Sequence, residues 1–127
     1  MDDLTPQDGE TLDPIAGSWR LFQLKRGHRF SVDDVVTGWR AAHARPGARR
    51  LLDMGCGIGS VALSTLWRLG HDDATLVGIE AQEVSVGLAR RSVRLNGLAD
   101  RVRIVHGDLR DPDVLPAALR PPGGFEL

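Results

Sequence analysis

The 127-residue chain is long enough for about one domain, and its composition, with 42% hydrophobic and 26% charged residues, is that of an average globular protein. One cysteine excludes an internal disulfide, and no Cys/His cluster has zinc spacing, so we expect no metal site. No apolar run approaches the roughly 18 residues of a membrane span, and no signal peptide is recognisable, so we expect no membrane association and a cytoplasmic location.

The net charge of −1 conceals an acidic start. Residues 1–14 contain five carboxylates, two prolines and no base, whereas the rest of the chain carries 12 acids against 16 bases. Polar, charged segments bury too little apolar surface to offset the entropy of ordering. We therefore predict a disordered acidic tail over residues 1–14.

Residues 15–47 are expected to form a hairpin and a helix that cap the following unit. Residues 19–22 favour one strand, 25–27 a turn and 30–32 a second strand. Ser31 or Asp33 can cap a helix that runs to about residue 44, with Val35, Val36 and Trp39 on its apolar face.

The predicted turn is basic. Five basic residues lie within ten positions that contain no acid, and such a patch can contact a polyanion. A solvated loop explains the same composition. We take Lys25, Arg26 and Arg29 as the candidate nucleic-acid contacts.

Residues 48–127 alternate between strand and helix patterns. Strands are predicted at 51–54, 75–80 and 101–106, with amphipathic helices at 58–69 and 82–96 between them. A short helix is expected from Asp111, despite Pro116, and a fourth strand starts at 125–127. Val84 is placed on the apolar side of the second helix. This alternation predicts an α/β fold with a parallel sheet and right-handed crossovers.

Chemistry-bearing residues follow three of these strands. The glycine-rich run Asp53–Gly59 lies between the first strand and its helix, where glycine allows close backbone approach and free N–H groups attract ligands. Glu80 ends the second strand, where an acid can accept hydrogen bonds from ribose hydroxyls. Asp108 follows the third strand and can accept from an adenine amine. Because these ends are adjacent in a 3-2-1 sheet, we predict a nucleoside site.

The loop spacing bears on which nucleoside binds. A dinucleotide fingerprint requires G-x-G-x-x-G/A, whereas this loop reads G-x-G-x-G and is preceded by Asp53. An acid there disfavours a pyrophosphate and suits a cationic or amino-bearing ligand. S-adenosylmethionine carries a sulfonium, an amine and a carboxylate, and an NAD(P)-binding oxidoreductase module is the weaker alternative.

Over residues 49–127 the chain resembles the class I S-adenosylmethionine-dependent methyltransferases. The motifs that carry the resemblance are Leu51-Leu52-Asp53-Met54-Gly55-Cys56-Gly57-Ile58-Gly59, Gly78-Ile79-Glu80, Leu95-Asn96-Gly97-Leu98 and Gly107-Asp108. It implies a Rossmann-like sheet ordered 3-2-1-4 within this chain, with S-adenosylhomocysteine as the product. It also implies that the cofactor contacts are Asp53, Gly55, Cys56, Gly57, Gly59, Glu80, Ala81, Gly107, Asp108 and Leu109.

The segments 22–30 and 32–36 resemble the start of the bacterial adenine-N6 methyltransferases of valine tRNA. Asp33 matches an aspartate of that family, whereas Asp34 stands where glycine is usual. The resemblance implies that the Asp33 segment closes over the cofactor, although Asp33 can equally serve as a helix cap. Protein-glutamine and other RNA or small-molecule methyltransferases remain alternatives for the acceptor.

In the amine-methylating families, an Asn/Asp/Ser-Pro-Pro-Tyr motif follows strand four and holds the acceptor. No such motif occurs here, so the resemblance provides no catalytic residue within the chain. We expect the 127 residues alone to be inactive. Without strand four, the first strand would be an exposed apolar edge that invites self-association.

Overall fold

The computed structural model describes residues 3–127; Met1 and Asp2, the first residues of the predicted tail, lie outside them. A two-stranded hairpin and a helix precede a three-stranded α/β unit. The elements are β1 (Glu10–Ala16), β2 (Trp19–Leu24), α1 (Val32–Ala44), β3 (Arg50–Met54), α2 (Ser60–Leu69), β4 (Thr75–Glu80), α3 (Glu83–Leu95), β5 (Val102–His106) and a 3-10 helix (Ala117–Leu119). None of the helices described is long and apolar enough to cross a membrane.

The strands β3, β4 and β5 form a parallel sheet in the order β3-β4-β5, which confirms the predicted 3-2-1 arrangement. Their centres are apolar and buried because helices cover the sheet. Residues 125–127 are not a strand, but they lie beside β3: the Glu126 N–H donates to the Arg50 carbonyl at 2.7 Å, and the Leu52 N–H donates to the Leu127 carbonyl at 2.9 Å. These bonds place the segment at the edge where the order 3-2-1-4 requires strand four.

The predicted disordered tail is wrong from Glu10 onward. The predicted hairpin strand at residues 19–22 is confirmed as part of β2, but its predicted partner is wrong. The segment from Glu10 forms β1 and pairs antiparallel with β2, so residues 30–32 are not a strand. The acids of the tail explain its order, because three of them pair with arginines of the body. Those pairs are Asp3–Arg94, Glu10–Arg91 and Asp13–Arg29.

The helix α1 is confirmed, but its predicted apolar face is wrong at two of three residues, since only Val35 is half-buried. Val36 and Trp39 are 54% and 44% exposed, whereas the buried residues of α1 are Gly38 and Ala42. A Cβ at Gly38 would lie 2.5 Å from the hydroxyl oxygen of Ser64. The missing side chain therefore lets α1 approach α2 closely, and small residues rather than large ones form the contact.

Two further predictions fail for local reasons. The helix expected from Asp111 is replaced by turns and the 3-10 helix, because Pro116 lacks the N–H that a continuing α-helix needs. Val84 is 62% exposed and lies outside the core, in the first turn of α3. The core instead gathers under the sheet and the hairpin, where Leu21, Phe22 and Leu63 are at most 2% exposed.

Candidate functional site

The loop after β3 is held by hydrogen bonds from its backbone N–H groups to β4. The N–H groups of Gly55 and Cys56 both donate to the carbonyl of Ile79 in β4, at 2.8 and 2.9 Å. Gly55, Gly57 and Gly59 have φ values of +81°, +56° and +93°, a region that side-chain-bearing residues rarely occupy. A Cβ at Gly55 or Gly57 would meet no atom within 4 Å, so open space for a ligand lies beside the loop.

Glu80, at the end of β4, ties this loop to the start of α3. Its Oε1 accepts from the Gly57 N–H at 2.9 Å, and its Oε2 accepts from the Gln82 N–H at 2.8 Å. Each carboxylate oxygen has a second lone pair. The Glu80 carboxylate is therefore held in one orientation and retains acceptor capacity for two further donors, such as vicinal hydroxyls.

Asp53 lies in β3, directly opposite Gly78 of β4, the strand that ends at Glu80. Burial raises the pKa of the Asp53 carboxyl above its ordinary value, and the nearby negative charge of Glu80 raises this pKa further. A cation placed near the two carboxylates would offset this repulsion at Asp53. The electrostatics of the loop thus favour a positively charged group.

The Cys56 side chain turns away from this space. The residue is 6% exposed, and a Cβ on Gly78 would lie 2.9 Å from its sulfur, so the thiol packs over the glycine of β4. Burial, followed by the charges of Asp53 and Glu80, raises the pKa of the thiol to about 12. Such a thiol is a poor nucleophile, and only the backbone of Cys56 borders the loop.

At the third strand end, after β5, the Asp108 carboxylate is held by an ion pair with Arg110. Both oxygens of the Asp108 carboxylate accept from the Arg110 side chain, at 2.5 to 3.0 Å, and the Arg110 N–H donates to Oδ1 at 2.9 Å. The Arg110 guanidinium holds the pKa of Asp108 below its usual range. Sequence reasoning missed Arg110, although a base two residues after the acid was visible.

The backbone of Gly107 joins the second and third strand ends. Its N–H donates to the Glu80 carbonyl at 3.0 Å, and a Cβ on it would lie 2.5 Å from Val114. Ala81 is exposed, and its carbonyl is within 2.9 Å of the His106 ring nitrogen Nε2. The neighbours of both acids are therefore in contact, as the predicted adjacency requires.

Three large apolar side chains ring the strand ends without being buried. Met54 is 61% exposed as the last residue of β3, Val84 is 62% exposed in α3, and Leu109 is 44% exposed after β5. Sequence reasoning identified Leu109 but assigned Val84 to the core. Exposed apolar side chains beside unsatisfied acceptor groups can pack against the apolar surface of a bound ligand.

The N-terminal candidates separate into free and engaged residues. The side chains of Lys25 and Arg26 are exposed and make no hydrogen bond or ion pair within residues 3–127. Arg29 instead donates to the Leu24 carbonyl at 2.6 Å and pairs with Asp13 at 3.3 Å, so it supports the hairpin. The Asp33 carboxylate is exposed and does not cap α1.

No group of three or more His, Cys, Asp or Glu residues in the described part of the chain could hold a metal ion. The site consists of a hydrogen-bonded glycine loop, two neighbouring acids and a third acid paired with arginine. It offers backbone and carboxylate acceptors to an uncharged polar group and a negative field to a cation.

Comparison with known proteins agrees with this geometry. A family model described as a methyltransferase domain matches residues 51–120. A carboxy-S-adenosyl-L-methionine synthase of Chromohalobacter salexigens is 36% identical over 77 residues, which cover 61% of this chain and 28% of that protein. A tRNA1(Val) (adenine(37)-N6)-methyltransferase of Bacteroides thetaiotaomicron is 32% identical over 101 residues, covering 76% and 41% of the two chains.

Among solved structures, the N-terminal domain of EvdMO1 with SAH bound superposes with a TM-score of 0.56 and 25% identity, over 65% of this chain and 33% of that one. The matched segment is well under half the length of each of these three proteins.

Proposed function

Because the chain belongs to the S-adenosylmethionine-dependent methyltransferase family, we propose that its strand-end site binds S-adenosylmethionine and releases S-adenosylhomocysteine. The observation that carries the proposal is the Glu80 carboxylate, which is fixed by the N–H groups of Gly57 and Gln82. That arrangement leaves two acceptor positions, which match the two ribose hydroxyls of an adenosyl ligand.

Each strand end then has a separate task. Asp53 and the glycine loop take the methionine end, where the negative field suits a sulfonium and an amine. Asp108 takes the adenine amine, and Leu109 and Val84 cover apolar ligand surface. The cofactor supplies an electrophilic methyl group, and these residues orient it without taking part in its transfer.

We further propose that the acceptor is an amine nitrogen of RNA, such as adenine N6 of a tRNA. The 32% identical relative from Bacteroides thetaiotaomicron carries that activity in its name. The exposed Lys25 and Arg26 provide positive charge without internal partners, as a phosphate contact requires. The other relative described above acts on a different substrate type, so RNA is the narrower part of the proposal.

Calorimetric titration of the 127-residue chain tests the cofactor. We expect S-adenosylmethionine and S-adenosylhomocysteine to bind and NAD not to bind. Binding of NAD, without binding of S-adenosylmethionine or S-adenosylhomocysteine, would overturn the proposal.

A tRNA-binding assay tests the acceptor class. The double variant Lys25→Ala/Arg26→Ala should bind tRNA more weakly and with a shallower salt dependence, with a slope reduced by about 2 because two phosphate contacts are lost. Arg103→Ala/Arg120→Ala is the matched control, because it removes the same charge from exposed positions near the other end of the sheet. Equal effects of the two double variants would show that the basic turn is a solvated loop with no specific role in tRNA binding.

A further inference from the structure

The first turn of α1 makes a specific bond to the first residue of α2. The Ser60 hydroxyl donates to Oδ2 of Asp34 at 2.8 Å, and Ser60 is 6% exposed. Ser60 directly follows Gly59, the last glycine of the loop, whose φ is +93°. Asp34 therefore bonds to the residue at which the ligand loop becomes a helix.

The rest of α1 fixes the geometry of this bond. Asp34, Gly38 and Ala42 are spaced four residues apart and lie on one face of α1. That face meets α2 at Ser60 and Ser64, which are also one turn apart, and Gly38 permits the close approach. The helix–helix contact leaves little freedom for the Asp34 carboxylate to move away from the loop.

The location of the carboxylate has an electrostatic consequence. Free N–H groups and the positive end of the helix dipole stabilise an anion at the first turn of α2. Asp34 brings a third negative charge to the loop that already has Asp53 before it and Glu80 bonded to Gly57. A cationic ligand in this loop is stabilised by all three charges, whereas a neutral one is not.

We propose that Asp34 is a positioning residue of the S-adenosylmethionine site: its bond to Ser60 fixes the loop-to-helix junction, and its charge favours the sulfonium cofactor over its neutral product. The inference rests on the proposed function. It assigns to Asp34, rather than Asp33, the part that α1 plays at the site, since the Asp33 carboxylate makes no hydrogen bond within residues 3–127.

The two ligands separate the two effects, because S-adenosylhomocysteine lacks the sulfonium charge. Asp34→Asn keeps an oxygen that can accept from Ser60 and removes the charge, so its affinity for S-adenosylmethionine should fall about threefold, with affinity for S-adenosylhomocysteine unchanged. Asp34→Ala removes both the acceptor and the charge, so both affinities should fall, about tenfold and about threefold respectively. Ser60→Ala should weaken both ligands equally by about threefold.

The experiment is calorimetric titration of both ligands into the 127-residue wild type and these variants at low salt, with circular dichroism to verify folding. Asp100→Asn removes the same charge at the far end of the sheet and should leave both affinities unchanged. Failure of wild type to bind either ligand would refute the proposed function. If wild type binds and the ligand ratio is the same in Asp34→Asn, Asp34→Ala and wild type, the charge effect of Asp34 is refuted. If Asp34→Ala also binds S-adenosylhomocysteine as tightly as wild type, the effect of the bond to Ser60 is refuted as well.

The test remains decisive even if a variant is partly unfolded. The ratio of the two affinities is independent of the folded fraction, because unfolded chain lowers the amount of both complexes equally. A change in this ratio in Asp34→Asn therefore supports the role, and an Asp33→Asn variant that changes the ratio more than Asp34→Asn would overturn it.

Discussion

The glycine loop and the segment 107–110 occupy neighbouring strand ends, yet they are held in opposite ways. The loop is fastened by backbone bonds to the buried Ile79 carbonyl and by the bonds of Glu80. Asp108 is held by one guanidinium, and the Arg110 side chain is 91% exposed. A buried backbone network is costly to disrupt, whereas an exposed ion pair contributes little and is screened by salt.

This difference divides the work of the site. The loop is already held by these bonds without a ligand, so we expect little ordering cost on binding. Asp108 must give up part of its bonding to Arg110 before it can accept a hydrogen bond from the adenine amine. We therefore expect it to contribute more to the choice between bases than to overall affinity. Substitutions at the two ends should therefore differ in size and in kind.

The largest loss should come from Glu80→Gln. The amide can accept from only one of the two N–H groups and offers no charged acceptor to the ribose, so affinity for S-adenosylhomocysteine should fall about 100-fold. Titration calorimetry measures the loss. Glu83→Gln is the control, since Glu83 lies three residues on and makes no such bonds; equal losses in the two variants would contradict a special role for Glu80.

Asp53→Asn should cost about tenfold in affinity for S-adenosylmethionine, because one of the charges that favours the cation is lost. The same substitution should increase the free energy of unfolding of the unliganded protein. Since burial and Glu80 raise the Asp53 pKa, the native state holds the proton more tightly, and native stability falls as pH rises through that pKa.

The variant lacks that penalty, so its free energy of unfolding in urea should exceed the wild-type value at pH 7. The advantage should vanish near pH 3, where Asp53 is protonated in both states. A variant that is less stable than wild type at pH 7 would show that the Asp53 charge has a stabilising partner in the unliganded protein.

A moderate change is expected from Asp108→Asn, about fivefold in affinity for S-adenosylhomocysteine. The diagnostic quantity is the preference for S-adenosylhomocysteine over S-inosylhomocysteine, which has a carbonyl in place of the adenine amine. Wild type should prefer the adenine, and the variant should lose most of this preference because an amide can donate to the carbonyl. An unchanged preference would remove Asp108 from base recognition.

The smallest effect should come from Arg110→Ala, with affinity at pH 7 rising by no more than about twofold because an exposed ion pair is weak. The pH dependence is more informative. Arg110 lowers the Asp108 pKa, so without it the carboxylate protonates at higher pH and ligand binding is lost earlier on acidification. Identical acid limbs for wild type and variant would show that Asp108 does not contact the ligand.

How far sequence reasoning succeeded also differs between regions. The order of β3, β4 and β5 and the place of Glu80 could be predicted, because strand–helix periodicity and the loop signature are local patterns. The hairpin could not, because β1 is ordered by partners far along the chain, such as the Glu10–Arg91 pair at 2.8 Å. Charge composition alone does not show which arginine an acid will meet.

The same distinction applies within the site. A carboxylate at a strand end is visible in the sequence, but the Asp34–Ser60 bond depends on how closely α1 packs on α2. Counting large apolar residues assigned the packing face of α1 to Val35, Val36 and Trp39, whereas its buried residues are Gly38 and Ala42. Close helix contacts select small residues, which hydrophobic periodicity does not detect.

The buried thiol beneath the glycine loop provides an internal chemical reporter. Burial raises the pKa of the Cys56 thiol to about 12, so the reactive thiolate is scarce at pH 8, and the sulfur lies against Gly78. Alkylation thus requires the loop to lift from β4, so the rate of labelling measures how often it opens. A ligand that holds the loop down should slow iodoacetamide, and one cysteine makes the reading unambiguous in an intact-mass spectrum.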